Sequence, residues 1–565
     1  MAIKIMKQIN FYLALLILAI PLILFNHTLP YGFMDLDDRA LILENPLVKT
    51  LSWSNLYEMF TRFHFGQYKP FTLLSFAFDY SIWNATPYGF RLTSLILHVL
   101  NSALLYLLLR KMNVSIFSSF VVSIFFACHP VQIEAFIWIA ARKHVLSTFF
   151  LFASFLSHIT FRESNKRQHQ TVSAACFALA LLTDSLSAMF PLVIIAYDYF
   201  YLKRASLAKL VQEYFIYLLI AFIMGIVFIQ ASRTEGYFRH DFTPQNWKSI
   251  WANIPTLIWR YIFLGFSPTH QSFMYDSLGT KSTWKYWAST LVLIGIILQV
   301  FKKRDTESEF AFWASWFFIF LAPTLFLPPH SVLHDRYLYL PLIGLVMVIG
   351  IPFRKLAWVL GESYFRKSTV YILILLVLAS YMKTSWKRSF VWHDNFTLLS
   401  DTLEKAPRHY FSHYGMGLEW MRQEKYDLAL KEFEEALKAP IAPGSYDLTY
   451  NTMAQIYFIQ KKYDKGIEAL KKAISFIEKD IYYINLGVFY RKTSQLNQAM
   501  QAYLKAIELG SKEAAVYNNM GVIHELQGNF KKAAEAYQMA LKLNPDYAEA
   551  LQNLATLMKN KQPQD

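Results

Sequence analysis

The feature that most limits the fold is a succession of apolar runs filling the first 390 residues. A hydrocarbon layer of about 30 Å takes roughly 20 apolar residues in a helix. Runs near that size recur at 9–27, 91–109, 114–128, 144–161, 171–183, 186–201, 211–231, 284–301, 310–327, 337–353 and 369–385. They predict an all-α, polytopic membrane part of about eleven spans.

Charge divides the chain in two. Residues 401–565 hold 21 Lys+Arg and 20 Asp+Glu, whereas the first 400 hold 34 and 20, a net of +14. The excess lies in short loops, at Arg110-Lys111, Arg162/Lys166/Arg167, Lys203-Arg204/Lys209, Lys302-Lys303-Arg304 and Arg354-Lys355/Arg366-Lys367. With Lys4 and Lys7 inside, all of these fall on one side, as the positive-inside rule requires. This is a membrane pattern and not a nucleic-acid footprint, and 17% charged residues over the whole chain argue against a single soluble enzyme. Eleven crossings place the C-terminal part outside. The run Trp251 to Phe266 breaks the alternation if it crosses, so it is read as interfacial or re-entrant. Phe11 to Phe25 resembles a signal sequence without a small-residue cleavage site and is read as an uncleaved first helix. Cys128 and Cys176 form no CxxC and support neither a disulfide framework nor a zinc site.

From residue 410 the sequence repeats. Units begin near Tyr410, Asp447, Asp480 and Ala514, with Gly417, Ala454, Gly487 and Gly521 filling one slot. Tyr426, Tyr463, Leu496 and Phe530 open the second helix of each, and Ala436, Ala473, Ala506 and Ala540 fill a later slot. Small residues where paired helices touch, at this period, are the tetratricopeptide pattern. The divisions are 1–390 membrane part (29–90 its first outer loop), 391–409 linker, and 410–565 four repeats plus a capping helix. Such an array normally holds a peptide or another protein in its concave groove, the alternative being that it only stiffens the molecule.

Ionisable residues beside membrane segments are functional candidates by default. On this topology they gather outside: Asp35, Asp37, Asp38 and His64; His129, Glu134, Arg142 and His144; Asp184; Arg233, Glu235, Arg239, His240 and Asp241; Asp276; and His330, His334, Asp335, Arg336 and Tyr337. Outer loops are poor in Lys and Arg anyway, which accounts for part of the acidic bias but not for the histidines or Arg336. The loop also carries Trp53, Leu56, Tyr57, Met59, Phe60 and Phe63, an amphipathic stretch suited to the bilayer surface. No Walker-type phosphate loop occurs, and the acids lack metal-ligand spacing, so no metal is expected.

Several motifs occur in order: Asp37-Asp38-Arg39 with Glu44-Asn45-Pro46; Tyr68-Lys69-Pro70-Phe71-Thr72; His129-Pro130-Val131-Gln132-Ile133-Glu134 with Ile139-Ala140-Ala141-Arg142-Lys143; and Asp335-Arg336-Tyr337-Leu338-Tyr339-Leu340-Pro341. With the repeats, the set resembles the transmembrane and tetratricopeptide-repeat (TMTC) protein O-mannosyltransferases and their bacterial relatives. The resemblance implies a GT-C fold and an inverting glycosyltransferase. Its donor would be a polyprenyl- or dolichyl-phosphate sugar, such as mannose, its acceptors Ser/Thr hydroxyls of exported proteins, and it would need no cofactor. It implies a base at Asp38 or Asp37, with Asp38 slightly favoured, donor-phosphate contacts from Arg142, Arg336 and Lys69, and site shaping by His129, Glu134 and Tyr337. Lys69 stands where relatives tend to have Arg, Gln132 where they have a second His, and Thr183-Asp184-Ser185 where a Lys-Glu pair is common. The implied partners are the lipid donor, membrane lipid and an acceptor polypeptide in the repeat groove. The implied place is a bacterial inner membrane with a periplasmic site, or an endoplasmic-reticulum membrane with lumenal repeats. Two alternatives stay open: a catalytically silent anchor for a repeat scaffold, and a GT-C transferase acting on a lipid or envelope glycan.

Overall fold

The computed structural model describes residues 2–203, 207–234, 244–275, 284–303, 307–326, 333–359, 364–439 and 446–559. The chain divides into two compact units, Met1–Pro407 and Arg408–Asp565. Among the described residues the regular structure is helical, apart from one isolated bridge between His64 and Gln67.

Among the described residues of the first unit, five helices are long and apolar enough to cross a bilayer: Asn10–Thr28, Pro87–Lys111, Ile139–Ser164, Ser308–Leu325 and Thr369–Phe390. A sixth is the pair Ile116–Cys128 and Pro130–Ile137, bent by 51°. The bend follows from the sequence, because the residue before a proline is pushed out of helical geometry, and His129 there is extended (φ −75°, ψ 132°). Ser185–Tyr201, Phe215–Ala231 and Pro341–Ile351 are apolar but shorter. Among the described residues, five or six helices thus have full crossing length where the sequence predicts eleven runs. The runs 171–183 and 186–201 are examples of shorter ones: the helix Arg167–Leu181 stops and Asp184 caps a 3-10 turn, Ser185–Met189, before helix resumes. Residues 251–266 lie inside a 23-residue helix, Pro244–Phe266. Within the stretch 391–409, Asn395–Lys405 is helical, capped by Asp394.

The first outer segment is built of short helices. Asn45 caps Pro46–Lys49 by accepting from the Leu47 N–H at 3.1 Å, and Ser52 caps Trp53–Thr61 by accepting from Asn55; such side chains satisfy the orphan amides of a helix start. Trp53 and Tyr57 are exposed, and Met59 is buried on the opposite side. Pro70 opens the next helix, Pro70–Trp83, at the position where its missing N–H costs nothing.

The second unit is four helical hairpins, Tyr410–Arg422 with Tyr426–Lys438, Tyr446–Ile459 with Tyr463–Phe476, Asp480–Lys492 with Leu496–Glu508, and Ala514–Leu526 with Phe530–Leu543, followed by Ala548–Lys559. The shared small-residue slot has a steric cause. A Cβ on Gly417, Gly487 or Gly521 would lie 2.5 Å from the ring of Phe433, Tyr503 or Tyr537, sixteen residues on. In the remaining repeat the slot holds Ala454, and its counterpart sixteen residues on is Leu470, not an aromatic ring; both are buried. Glycine and a ring, or alanine and leucine, fill the same gap. Gly487→Ala should destabilise the array by about 1–3 kcal/mol through overpacking. Adding Tyr503→Leu should recover most of that loss, read as protease resistance of the 408–565 segment on heating; strictly additive effects would contradict the pairing.

Candidate active site

The Asp37-Asp38 pair is split by the backbone. Asp38 is fully buried; its Oδ2 accepts from the Met34 N–H at 2.9 Å and its Oδ1 from the Ala140 N–H at 2.8 Å. Burial pushes its pKa up to about 6, against the Met34 N–H, the neighbouring Arg91 guanidinium and the Ala140 N–H. Arg91 in turn donates to the carbonyls of Tyr31, at 3.1 Å, Ile137 and Gly32. Asp38 and Arg91 thus pin the start of the outer segment onto the corner at 137–140. Asp37 points the other way and is exposed. Its charge acts on Lys69 and on Arg336.

Lys69 reaches this place because its segment docks along the end of another helix. The Phe71 N–H donates to the Leu182 carbonyl at 3.1 Å, and Thr72 Oγ1 donates to the Thr183 carbonyl at 3.0 Å. Lys69 is buried. Burial, reinforced by Lys143, brings its pKa down to about 7, while the carboxylates of Asp37 and Asp184 pull it upward.

Arg336 enters from the turn Asp335–Leu338. Glu134 holds it twice: Oε1 pairs with the guanidinium and Oε2 accepts the Arg336 backbone N–H at 3.2 Å. Its guanidinium centre lies 5.1 Å from the Trp138 ring and 5.0 Å from the Tyr337 ring. His129 braces the bend, accepting from the Val131 N–H and contacting the Gly265 carbonyl through Nε2, each at 3.2 Å. Gln132 donates to the Tyr339 carbonyl at 3.2 Å.

Arg142 has different surroundings from those expected of a donor-phosphate contact. It is fully buried and pairs with Asp79 at 2.5 Å. Its Nε donates to Ser94 Oγ at 3.1 Å, its Nη1 to the Ser75 carbonyl at 3.2 Å and its Nη2 to the Phe90 carbonyl at 2.6 Å. These partners clamp the helices Pro70–Trp83 and Pro87–Lys111 onto Arg142–Ser164 and leave no face of the guanidinium for a ligand.

The structure therefore brings Asp37, Lys69, Glu134, Arg336 and Tyr337 to one place, sets Asp38 and Arg142 beneath it as anchors, and puts His129 at the bend. Arg336 and Tyr337 line a small cleft together with His144 and Asp184. Glu235, Arg239, His240, Asp241, Asp276 and His330 lie outside the described residues. Among the described residues no cluster of three or more His, Cys, Asp or Glu could hold a metal ion. Sequence reading passed over Asp79 and Arg91 because both sit within apolar helical runs, where only their partners reveal a role.

Fold and site together define a polytopic helical membrane protein with a charged cleft and a tetratricopeptide array. Tetratricopeptide-repeat families match residues 414–481 and 514–547, and a TPR-repeat family matches 487–528. The chain is 26% identical over 423 residues to protein O-mannosyl-transferase F38B6.6 of Caenorhabditis elegans, covering 68% of this chain and 57% of that one. It is 23% identical over 573 residues to human protein O-mannosyl-transferase TMTC3, covering 89% and 61%. The chain is thus similar over most of its length to TMTC-type protein O-mannosyltransferases, and spans about three-fifths of the length of these curated relatives. Solved structures with similarity include MamA (23% identity, 26% of this chain and 84% of that one, TM-score 0.24) and YrrB, a TPR protein (21%, 32% and 89%, TM-score 0.25).

Removing one partner of a buried ion pair strands the other charge, at a cost of about 3–5 kcal/mol. Asp79→Ala should therefore lower the melting temperature of the detergent-solubilised chain markedly, while Asp37→Ala should barely change it. Equal, small shifts would contradict the assignment of Arg142 as a clamp.

Proposed function

We propose that this chain is an inverting, GT-C-type protein O-mannosyltransferase. It moves mannose from a polyprenyl-phosphate carrier, of the dolichyl-phosphate kind, to Ser/Thr hydroxyls of exported proteins. The observation that carries this reading is the exposed Asp37 carboxylate, whose charge acts on two cations, Lys69 and Arg336, the latter lining the cleft. Transfer with inversion needs a base on one side of the anomeric carbon and charge stabilisation of the departing phosphate on the other. Asp37 takes the acceptor hydroxyl proton, and the oxygen bonds to the anomeric carbon. The bond from that carbon to the phosphate oxygen breaks, and its electron pair leaves with the lipid phosphate beside Lys69 and Arg336. Glu134 positions Arg336, whose planar fork suits a phosphate. On this reading the base is Asp37 and not Asp38, whose two oxygens are already held by backbone amides, and Arg142 supports the site from below.

The relatives named as protein O-mannosyl-transferases support a polypeptide acceptor, and the repeats supply a fold suited to holding one. We place the site and the repeats on the extracytoplasmic side of a bacterial inner membrane. The alternation of basic loops supports that sidedness.

Asp37→Asn should reduce transfer from a polyprenyl-phosphate-mannose donor to a Ser/Thr peptide by about a hundred- to ten-thousand-fold with the chain still folded. Full transfer by this variant would remove the base assignment. The ammonium of Lys69 is present below its pKa of about 7 and is lost as pH rises through that value. Donor KM should accordingly rise between about pH 6 and about pH 8, and Lys69→Arg, which keeps its charge, should flatten the profile. A profile unchanged by Lys69→Arg would contradict a phosphate role for Lys69.

A further inference from the structure

One buried pair lining the cleft has no part in the chemistry above. His144 Nδ1 lies 2.9 Å from Asp184 Oδ2, and both side chains are about 5% exposed or less. Asp184 is fixed by its place in the chain: its other oxygen, Oδ1, caps the turn Ser185–Met189 by accepting from the Leu186 N–H. A carboxylate accepts, so Nδ1 of a neutral ring carries the proton and Nε2 presents a lone pair. That Nε2 is buried and has no hydrogen-bond partner. A second buried polar atom on the cleft wall, Ser187 Oγ, is also without a partner. Leaving a buried polar group unsatisfied is costly, so two among the residues lining one cleft mark a place where a polar ligand completes the bonding.

The cleft's size and chemistry identify that ligand. The cleft is small and too confined for a folded polypeptide segment. A lone pair beside a hydroxyl suits neutral O–H groups, whereas the cations Arg336 and Lys69 suit the anion attached to them. Resting on the donor reading given above, we propose that this cleft is the donor-sugar subsite. There His144 Nε2 accepts from, and Ser187 Oγ bonds to, hydroxyls of the hexose whose phosphate lies on Arg336 and Lys69. Asp184 is a positioning residue that fixes the tautomer of His144.

The test is ligand binding by the full chain in lipid nanodiscs. Two probes are compared: a short-chain polyprenyl phosphate, and the same phosphate bearing mannose. His144→Gln and Ser187→Ala should each weaken the mannosylated probe about tenfold, some 1.4 kcal/mol, and leave the bare phosphate within about twofold. Arg336→Ala should weaken both probes. Asp184→Asn, whose amide can donate to Nδ1 and so turn Nε2 into a donor, should act like His144→Gln. Equal loss of both probes in the His144 and Ser187 variants, or loss of neither, would overturn the sugar subsite while leaving the donor reading in place. A wild-type chain that binds neither probe would overturn the donor reading itself, and the subsite with it.

Discussion

Charges buried among apolar helices must be paired, because an unpaired charge in a low-dielectric interior costs several kcal/mol. Much of the first unit's arrangement follows from that constraint. Arg142 and Asp79 fasten three helices together, Arg91 sits beside Asp38 at the start of the outer segment, Glu134 carries Arg336, and Arg162 is held by Asp198 and Glu213. Each pair joins segments distant in sequence, so the electrostatic demand is also what sets the backbone corners. Two of the buried polar atoms left without a partner, His144 Nε2 and Ser187 Oγ, belong to residues that line one cleft with Arg336.

The anchors and the reacting groups are consequently neighbours in sequence with opposite duties. Asp38 spends its oxygens on Met34 and Ala140, which orients the turn so that Asp37 faces outward. Arg142 begins a helix as a clamp, and His144, two residues later, lines the cleft from the same helix. A site assembled this way gains precision from rigid elements packed beneath it, at the expense of tolerating little change in the anchors.

The helical class and the repeats were legible because both rest on local periodicity. The second helices of the four repeats start at Tyr426, Tyr463, Leu496 and Phe530, the residues that open them in the sequence units. Even the compensation between Ala454 and Leu470 can be read from aligned repeats. Span number was less legible, since runs such as 171–183 and 186–201 are apolar but form helices short of a full crossing on either side of the Asp184 turn. At the site, Lys69, Glu134 and Arg336 were legible as motif residues that meet. Which carboxylate of Asp37-Asp38 faces outward was not, because that depends on amides supplied by Met34 and by Ala140, a hundred residues on. The same holds for Arg142 with Asp79 and for His144 with Asp184: each residue type was visible, but the partner is set by packing.

The most direct measurement of the central claim, that the cations Arg336 and Lys69 and the unpartnered polar atoms of the cleft hold a lipid-borne sugar phosphate, is a cryo-electron microscopy map of the full chain in nanodiscs with polyprenyl-phosphate mannose. The account predicts phosphate density between Lys69 and Arg336 and sugar density against His144 and Ser187. Phosphate density elsewhere, for instance against Arg162 or Arg110, with the cleft empty, would contradict it.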